Sequence, residues 1–211
     1  FPFLINLFRN EAFIFDNPKS FPERLGPNGY FTGDGQMIEL RPGRHQWETN
    51  FVPDIMNFDL KSWGARGKGS SSLRWILSDG TMGCHTSQII PGTYKKAHRH
   101  ECGTNVITID GQGYSLLWYE DDEDYVRIDW DHGVVVTPPD QMFHQHFNAS
   151  ANPARYFPVA FGSLRYPLTE SKRRLFAGGD VSVKAGGDQI EWAEQNPEIH
   201  RLFLAALAEN G

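Results

Sequence analysis

Two histidines separated by one residue, His98 and His100, form the first group in this sequence that could bind a metal ion. Alternate residues of a β-strand point to the same face, so an extended segment here would bring both imidazoles to one point. A third imidazole, His144, lies in a later strand-like run that could return beside the first pair. His-x-His also occurs by chance on many protein surfaces, so the prediction of a metal site depends on all three residues.

The segments around these histidines resemble the two signature motifs of the cupin superfamily. The first motif reads Gly, five residues, His-x-His, three or four residues, Glu, six residues, Gly; the second reads Gly, five residues, Pro-x-Gly, two residues, His, three residues, Asn. The matching positions are Gly92, His98, His100 and Gly111 in the first motif and Gly133, Pro139, His144 and Asn148 in the second. The resemblance covers about residues 73–162 and implies an all-β fold, the double-stranded β-helix or jelly-roll barrel of cupins.

Two motif positions depart from the cupin pattern. The glutamate of the first motif is absent, and its slot falls on Thr104 or Asn105, depending on the spacing. We include Asn105 among the candidate metal ligands. The glycine of Pro-x-Gly is replaced by Gln141, which could point toward the metal pocket and orient ligands or could simply lie in the turn.

Three neutral imidazoles with open positions suit Fe(II), Mn(II), Ni(II), Zn(II) or Cu(II), and ligand type alone does not choose among them. The resemblance favours Fe(II), because cupins with three-histidine iron sites are often oxygenases, and it implies a dioxygenase acting on a small aromatic or carboxylate-bearing substrate. Two alternatives stay open: a non-oxidative isomerase, lyase or decarboxylase that uses the metal as a Lewis acid, and a non-catalytic barrel that binds a small ligand.

A wider resemblance connects the chain to the second half of bacterial two-cupin proteins, which are related in layout to gentisate-type ring-cleaving dioxygenases. It implies a homodimer or association with an upstream cupin half. The apolar start, residues 1–8, would then be the tail of a first barrel.

Several other side chains are candidates for the site. His146 lies two residues from His144 and could share the pocket, although a hydrogen-bonded histidine beside the ligands is the better interpretation. Arg99, Arg155 and Arg74 are candidates to bind a substrate carboxylate. We take Gln141, His146 and Arg99 as the catalytic candidates. His85 could contact the ligands from behind, while His45, His132 and His200 are interpreted as surface residues and Cys84 and Cys102 as inert thiols. Six residues could line an aromatic-friendly pocket, but each is better explained as barrel core: Trp75, Tyr114, Leu116, Trp118, Phe143 and Phe147.

Short β-branched or aromatic runs separated by turn residues predict the strands that would position these side chains. The predicted strands are 56–63, 73–77, 82–90, 106–109, 114–118, 125–129, 134–136, 143–147 and 155–161, with a turn at 78–80. The Pro-, Gly- and Asn-rich stretch 17–57 predicts an irregular arm with a helical turn near 22–25. Asn196 and Pro197 predict the start of a C-terminal helix. We therefore expect an N-terminal strand and arm over 1–70, the barrel over 71–165 and a C-terminal extension with a helix over 166–211.

Composition excludes several classes of partner. The 211 residues carry a formal net charge of −6 and no long basic run, which argues against nucleic acid. No apolar run approaches the length of a membrane-spanning helix. The two cysteines cannot form a disulfide framework and fit reduced thiols in the cytoplasm. The acidic run 120–124 predicts a solvated hairpin end.

Overall fold

The structure, a computed structural model, describes residues 28–77, 82–101, 103–162 and 180–210. Within these residues the chain forms twelve strands and one α-helix. The strands are β1 (Gln36–Arg41), β2 (Arg44–Thr49), β3 (Lys61–Ser62), β4 (Ser71–Leu77), β5 (Met82–Ile89), β6 (Thr93–Tyr94), β7 (Thr104–Asp110), β8 (Gly113–Trp118), β9 (Val126–Trp130), β10 (Val135–Val136), β11 (Phe143–Asn148) and β12 (Ala154–Phe161), and the helix is α1 (Pro197–Glu209).

The strands form two sheets that together make the jelly roll. The larger sheet has the order β1-β2-β4-β5-β12-β7-β10, with β3 on β4, and the smaller has the order β6-β11-β8-β9. All pairings between named strands are antiparallel except β2 with β4. Non-consecutive neighbours such as β5 and β12 bring distant segments together, as a jelly roll requires. The all-β fold with a C-terminal helix is thus confirmed.

The stretch 17–57, predicted as an irregular arm, contains a regular hairpin in its described part. Strands β1 and β2 pair antiparallel around a tight turn in which Gly43 has a φ of 78°. Pro42 before this glycine suits the first central position of a turn with a positive φ at the second. Arg41, Pro42 and Gly43 therefore form a hairpin turn inside the stretch that was predicted to be irregular.

The predicted strand 56–63 is shortened to β3, Lys61–Ser62. The Asp54 carboxylate accepts hydrogen bonds from the backbone N–H groups of Met56 and Asn57, at 3.0 Å each. A side chain that binds the backbone two and three residues ahead stabilises a turn instead of a strand. The other predicted strands are present with ends within two residues of the prediction.

Helix α1 begins as predicted and covers the outer face of the smaller sheet. The Asn196 side chain accepts a hydrogen bond from the N–H of Glu198, and Pro197 occupies the first turn. The buried face of the helix packs against aromatic residues of the sheet in one core cluster that includes Ile199, Phe203, Tyr114 and Phe147. Because side chains alternate along β11, Phe143 and Phe147 face this cluster while His144 and His146 face the space between the sheets.

Four expectations fall outside the described residues: the apolar start 1–8, the turn near 22–25, the turn at 78–80 and the state of Cys102. The acidic run 120–124 is exposed, as predicted. Among the described helices, none is both long and apolar enough to cross a membrane.

Candidate metal centre

The three predicted histidine ligands meet at one point between the sheets. One ring nitrogen from each of His98, His100 and His144 lies within 4.8 Å of the other two. His98 and His144 sit opposite each other in an antiparallel bridge, where each backbone N–H donates to the other's carbonyl, at 3.1 and 2.9 Å. The backbone itself therefore holds two of the three rings side by side, with ring centroids 4.3 Å apart.

Hydrogen bonds to the backbone orient each of the three rings in the same way. Nδ1 faces a main-chain carbonyl in all three: Lys96 for His98 (3.4 Å), Glu101 for His100 (3.0 Å) and Met142 for His144 (3.1 Å). A carbonyl can only accept, so Nδ1 carries the proton and Nε2 keeps its lone pair. This is the tautomer in which a metal-binding histidine donates its other N–H to a backbone oxygen.

Burial keeps the imidazoles of His98 and His144 neutral. Burial first, and then the neighbouring Arg66 and His144, lower the pKa of His98 well below its usual value. Burial followed by His100 and His146 does the same to the pKa of His144. A neutral imidazole is the form that ligates a metal, so the donor set fits a divalent transition-metal ion.

His146 lies beside the three histidines and differs from them in having a hydroxyl, not a backbone carbonyl, as the partner of Nδ1. Its Nδ1 lies 2.7 Å from the Ser115 hydroxyl, which also accepts the indole N–H of Trp130 at 2.9 Å. A buried hydroxyl that accepts from an indole can donate its own proton to His146, which leaves Nε2–H of His146 as a donor into the cavity. Burial and then Lys95 lower its pKa to about 3, so the ring is neutral. His146 is thus placed as a hydrogen-bond donor next to the ligands, as the better of its two interpretations predicts.

The three histidines form one side of a cavity between the sheets. Its lining is Arg44, Trp63, Arg66, Arg74, Gly83, His85, Ser87, Lys95, His98, His100, Thr104, Val106, His144, His146, Tyr156, Pro158 and Ala160. Neither Asp nor Glu occurs among these described lining residues, whereas four arginines and lysines do.

Three of the predicted site residues lie away from this cavity. Asn105 is exposed, and its Oδ1 accepts a hydrogen bond from Thr137 at 2.8 Å. The prediction of Asn105 as a ligand is corrected by the alternation of β7, which turns Thr104 into the cavity instead. Thr104 Oγ1 is buried and has no hydrogen-bond partner among the described residues.

Gln141 and Arg99 also face outward. Gln141 is exposed with a φ of 56°, and its backbone N–H donates to the carbonyl of His100 at 3.1 Å. Arg99 binds Glu120 at 2.8 Å and lies over the Phe143 ring. Neither side chain is placed to contact a ligand at the three histidines. Gln141 instead occupies the left-handed conformation that the glycine of the motif would adopt.

The remaining candidates divide clearly between cavity and scaffold. Arg74 lines the cavity, whereas Arg155 binds Gln88 and the carbonyls of Ile55 and Phe58. Cys84 is buried, and burial raises its pKa to about 12, so it is an inert thiol as predicted. The six aromatic and apolar candidates belong to the core and not to the cavity lining.

Sequence reasoning missed three cavity residues: Arg44, Arg66 and Lys95. Arg44 enters through β2, which pairs in parallel with β4. Arg66 comes from the Gly- and Ser-rich loop before β4, and Lys95 from the segment after β6. Of these three residues, only Lys95 lies inside a motif, three residues before His98, and this position could have indicated that it lies near the histidines.

No protein-family model matches the sequence, and neither does any curated protein. Solved structures do resemble the fold. They include a cupin-2 domain from Rhodospirillum rubrum (17% identity, TM-score 0.41, 57% of this chain and 78% of that one). A second is oxalate decarboxylase from Bacillus subtilis, with 16% identity and a TM-score of 0.41 over 48% of this chain and 28% of that one. A third is salicylate 1,2-dioxygenase from Pseudoaminobacter salicylatoxidans, with 12% identity and a TM-score of 0.38 over 45% of this chain and 25% of that one. The jelly-roll topology described above agrees with the fold that the two motifs predict.

Proposed function

We propose that this chain is a metal-dependent oxygenase of the dioxygenase type, which binds Fe(II) through His98, His100 and His144 and acts on a small aromatic or carboxylate-bearing substrate. The observation that carries the proposal is the common orientation of the three imidazoles, each with Nδ1 on a backbone carbonyl, together with the convergence of one ring nitrogen from each. That arrangement is expected where three histidines hold a metal.

The absence of a carboxylate from the described cavity lining supports an anionic substrate. Three neutral imidazoles leave the full charge of a divalent ion uncompensated, and the cationic side chains nearby add to it. An acidic substrate would neutralise part of this charge on entering. Bound iron would supply redox chemistry with dioxygen, and the preference for iron over other metals rests on the resemblance of the motifs.

The side chains around the ligands would bind and orient the substrate. Nε2–H of His146 can donate to a substrate oxygen, and Ser115 with Trp130 fixes the ring in that tautomer. The stacked aromatic residues between β11 and helix α1 would keep water from entering the cavity through the smaller sheet. Ordering these groups before the substrate arrives reduces the reorganisation that the reaction requires.

The first experiment is metal analysis of the purified protein beside His98→Ala and His144→Ala. His132→Ala is the matched control, because His132 is exposed and binds the Ile109 carbonyl far from the three ligands. We expect close to one iron per chain in the parent and in the control, and loss of iron in both ligand variants.

The second experiment measures oxygen consumption by the iron-loaded protein with a panel of small aromatic and aliphatic acids. Oxygen uptake that depends on both substrate and His144 supports the dioxygenase. Turnover of an acid in the absence of oxygen, with zinc, manganese or nickel bound, would replace it with the Lewis-acid alternative. Bound metal with no turnover of any panel member would contradict an enzyme that acts on such acids.

A further inference from the structure

Four cationic side chains are buried in the wall of the cavity. Arg44, Arg66, Arg74 and Lys95 are respectively 1%, 5%, 8% and 2% exposed. Arg44 and Arg74 come from the adjacent strands β2 and β4, and Arg74 lies opposite His85 in the pairing of β4 with β5. The four residues, called here the cationic wall, line the same cavity.

Among the described residues, Asp180 supplies a carboxylate beside this wall. Asp180 binds Arg66 at 3.5 Å and also pairs with the exposed Arg41 of β1. Asp180 is not part of the cavity lining, and the described lining residues include no carboxylate. Arg44 and Lys95 form no ion pair with any described residue, and burying such cations is costly, so a bound anion would stabilise these two side chains.

Three of these cations lie over aromatic rings: Arg44 and Arg66 over Trp63, and Lys95 over Tyr156. The guanidinium of Arg44 lies 3.9 Å from the centroid of the Trp63 ring; Nη1 donates to Ser72, and Nε has no hydrogen-bond partner among the described residues. The Lys95 ammonium lies 4.9 Å from the centroid of the Tyr156 ring, and within the described part of the chain its Nζ has no hydrogen bond or ion pair. A cation over a ring is stabilised without using its N–H groups.

The main chain of Lys95 is fixed on both sides. Its N–H donates to the carbonyl of His146 at 3.1 Å, and its carbonyl accepts from Nε2 of Gln145 at 2.6 Å. The ammonium group is therefore positioned from the same strand, β11, that carries His144. A ligand bound to Lys95 would lie next to the metal centre without having to be a metal ligand at that end.

We infer that the cationic wall is a carboxylate-binding subsite, in which Arg44 and Lys95 hold the acid group of a compact organic substrate separately from the three histidines. This inference rests on the proposed function for the role of the acid as a substrate. The planar fork of a guanidinium matches a carboxylate, which favours a carboxylic acid over a tetrahedral oxyanion. The preferred substrate has one acid group for this wall and a second oxygen that reaches the histidines.

The test is calorimetric titration of the 211-residue chain, as purified and after removal of metal with a chelator. The probes are malonate and benzoate, their neutral analogues malonamide and benzamide, and inorganic phosphate. We expect one or both carboxylates to bind the chelated protein and both amides to fail. Equal binding of an amide, equal binding of phosphate, or binding of carboxylate only when metal is present would each overturn the inference.

Variants locate the binding within the cavity. Lys95→Met and Arg44→Met should weaken carboxylate binding by about tenfold or more, because each removes a charge-assisted donor. Lys61→Met and Arg99→Met are the matched controls, since these cations pair with Asp59 and Glu120 outside the lining, and should bind as the parent does. Unchanged binding by folded Lys95→Met would contradict the subsite. If Arg44→Met does not fold, as judged by circular dichroism, Lys95→Met and the comparison of acid with amide still decide.

The two proposals fail in different ways. Carboxylate binding to the chelated protein without any oxygen consumption by the iron form would remove the oxygenase and leave the subsite. Oxygen consumption with acids that bind only in the presence of metal, and equally well in Lys95→Met, would leave the oxygenase and remove the subsite.

Discussion

Thr104 and Asn105 are neighbours in β7 whose side chains point to opposite sides of the sheet. Thr104 is buried and lines the cavity with the three histidines, whereas Asn105 is exposed and bound to Thr137. The slot of the missing motif glutamate is thus occupied by Thr104, whose hydroxyl oxygen has no hydrogen-bond partner among the described residues.

Thr104→Glu should therefore add a carboxylate ligand to the centre. A negative oxygen beside three imidazoles increases the affinity for a divalent ion. We expect the dissociation constant of the metal to fall by on the order of tenfold or more. Competition with a chelator measures the change. Asn105→Glu, one residue away on the outer face, is the matched control; an equal gain in both variants would show that the effect is only general charge.

Gln141 is the one non-glycine residue with a positive φ among the described residues. A left-handed conformation costs an ordinary residue about 1–2 kcal/mol, whereas glycine adopts it freely but loses about 0.5–1 kcal/mol of chain entropy on folding. We expect Gln141→Gly to stabilise the protein slightly, and Gln141→Val to destabilise it by about 1–2 kcal/mol.

Urea denaturation measures both Gln141 variants, and oxygen consumption adds a second measurement. Because the Gln141 side chain is exposed, Gln141→Gly should keep the activity of the parent. Loss of activity in a stable, metal-loaded Gln141→Gly protein would restore Gln141 as a catalytic residue.

The lowered pKa of His85 makes the free energy of unfolding depend on pH. Burial first, and then Arg44, Arg74, Lys95 and Arg66, lower its pKa well below the usual value of 6.5. Below about pH 6.5 the unfolded chain takes up a proton at this residue and the folded protein does not, so stability falls as pH falls. The loss amounts to at most about 1.4 kcal/mol per pH unit for one such histidine.

His85→Gln should remove this contribution. Urea denaturation of chelated parent and variant between pH 7 and 5 should give a shallower decline for the variant. The same slope in both proteins would indicate that His85 is protonated in the folded state. His45→Gln is a suitable control, because His45 lies outside the cavity lining.

Phe147 tests the layer between the smaller sheet and helix α1. The side chain is fully buried and stacks on Tyr114 with ring centroids 4.6 Å apart. Phe147→Ala should cost about 3–5 kcal/mol through lost packing and the remaining cavity. Phe31→Ala, at a side chain that is 51% exposed, should cost far less when both are measured by urea denaturation.

The sequence was sufficient to predict the barrel and the three histidines because their information is local. Each ligand sits in a short extended segment, and the order of glycine, proline and histidine in each motif identifies the turns between strands. Asn105 was wrongly preferred because a spacing in residues does not determine which of two neighbours faces inward.

Arg44 could not be predicted in the same way. Its position in the cavity results from the parallel pairing of β2 with β4, which joins segments about thirty residues apart and carries no motif. Lys95 has a similar explanation, because a lysine is expected at the surface unless the fold supplies a compensating partner. Arg44 and Lys95 were therefore missed because their positions depend on long-range strand pairing and on the burial of a charged side chain.

Because β2 pairs with β4, the residues that could hold a metal and the residue Arg44 that would bind an anion come from different parts of the chain. The histidines come from the motif segments, while Arg44 comes from a hairpin, residues 36–49, that is outside both motifs. Related barrels could therefore acquire a new preference for ligand charge by altering this hairpin alone, with the metal chemistry inherited unchanged. For protein engineering, the same separation makes the hairpin a replaceable module, in which selectivity can be redesigned without disturbing the reactive centre.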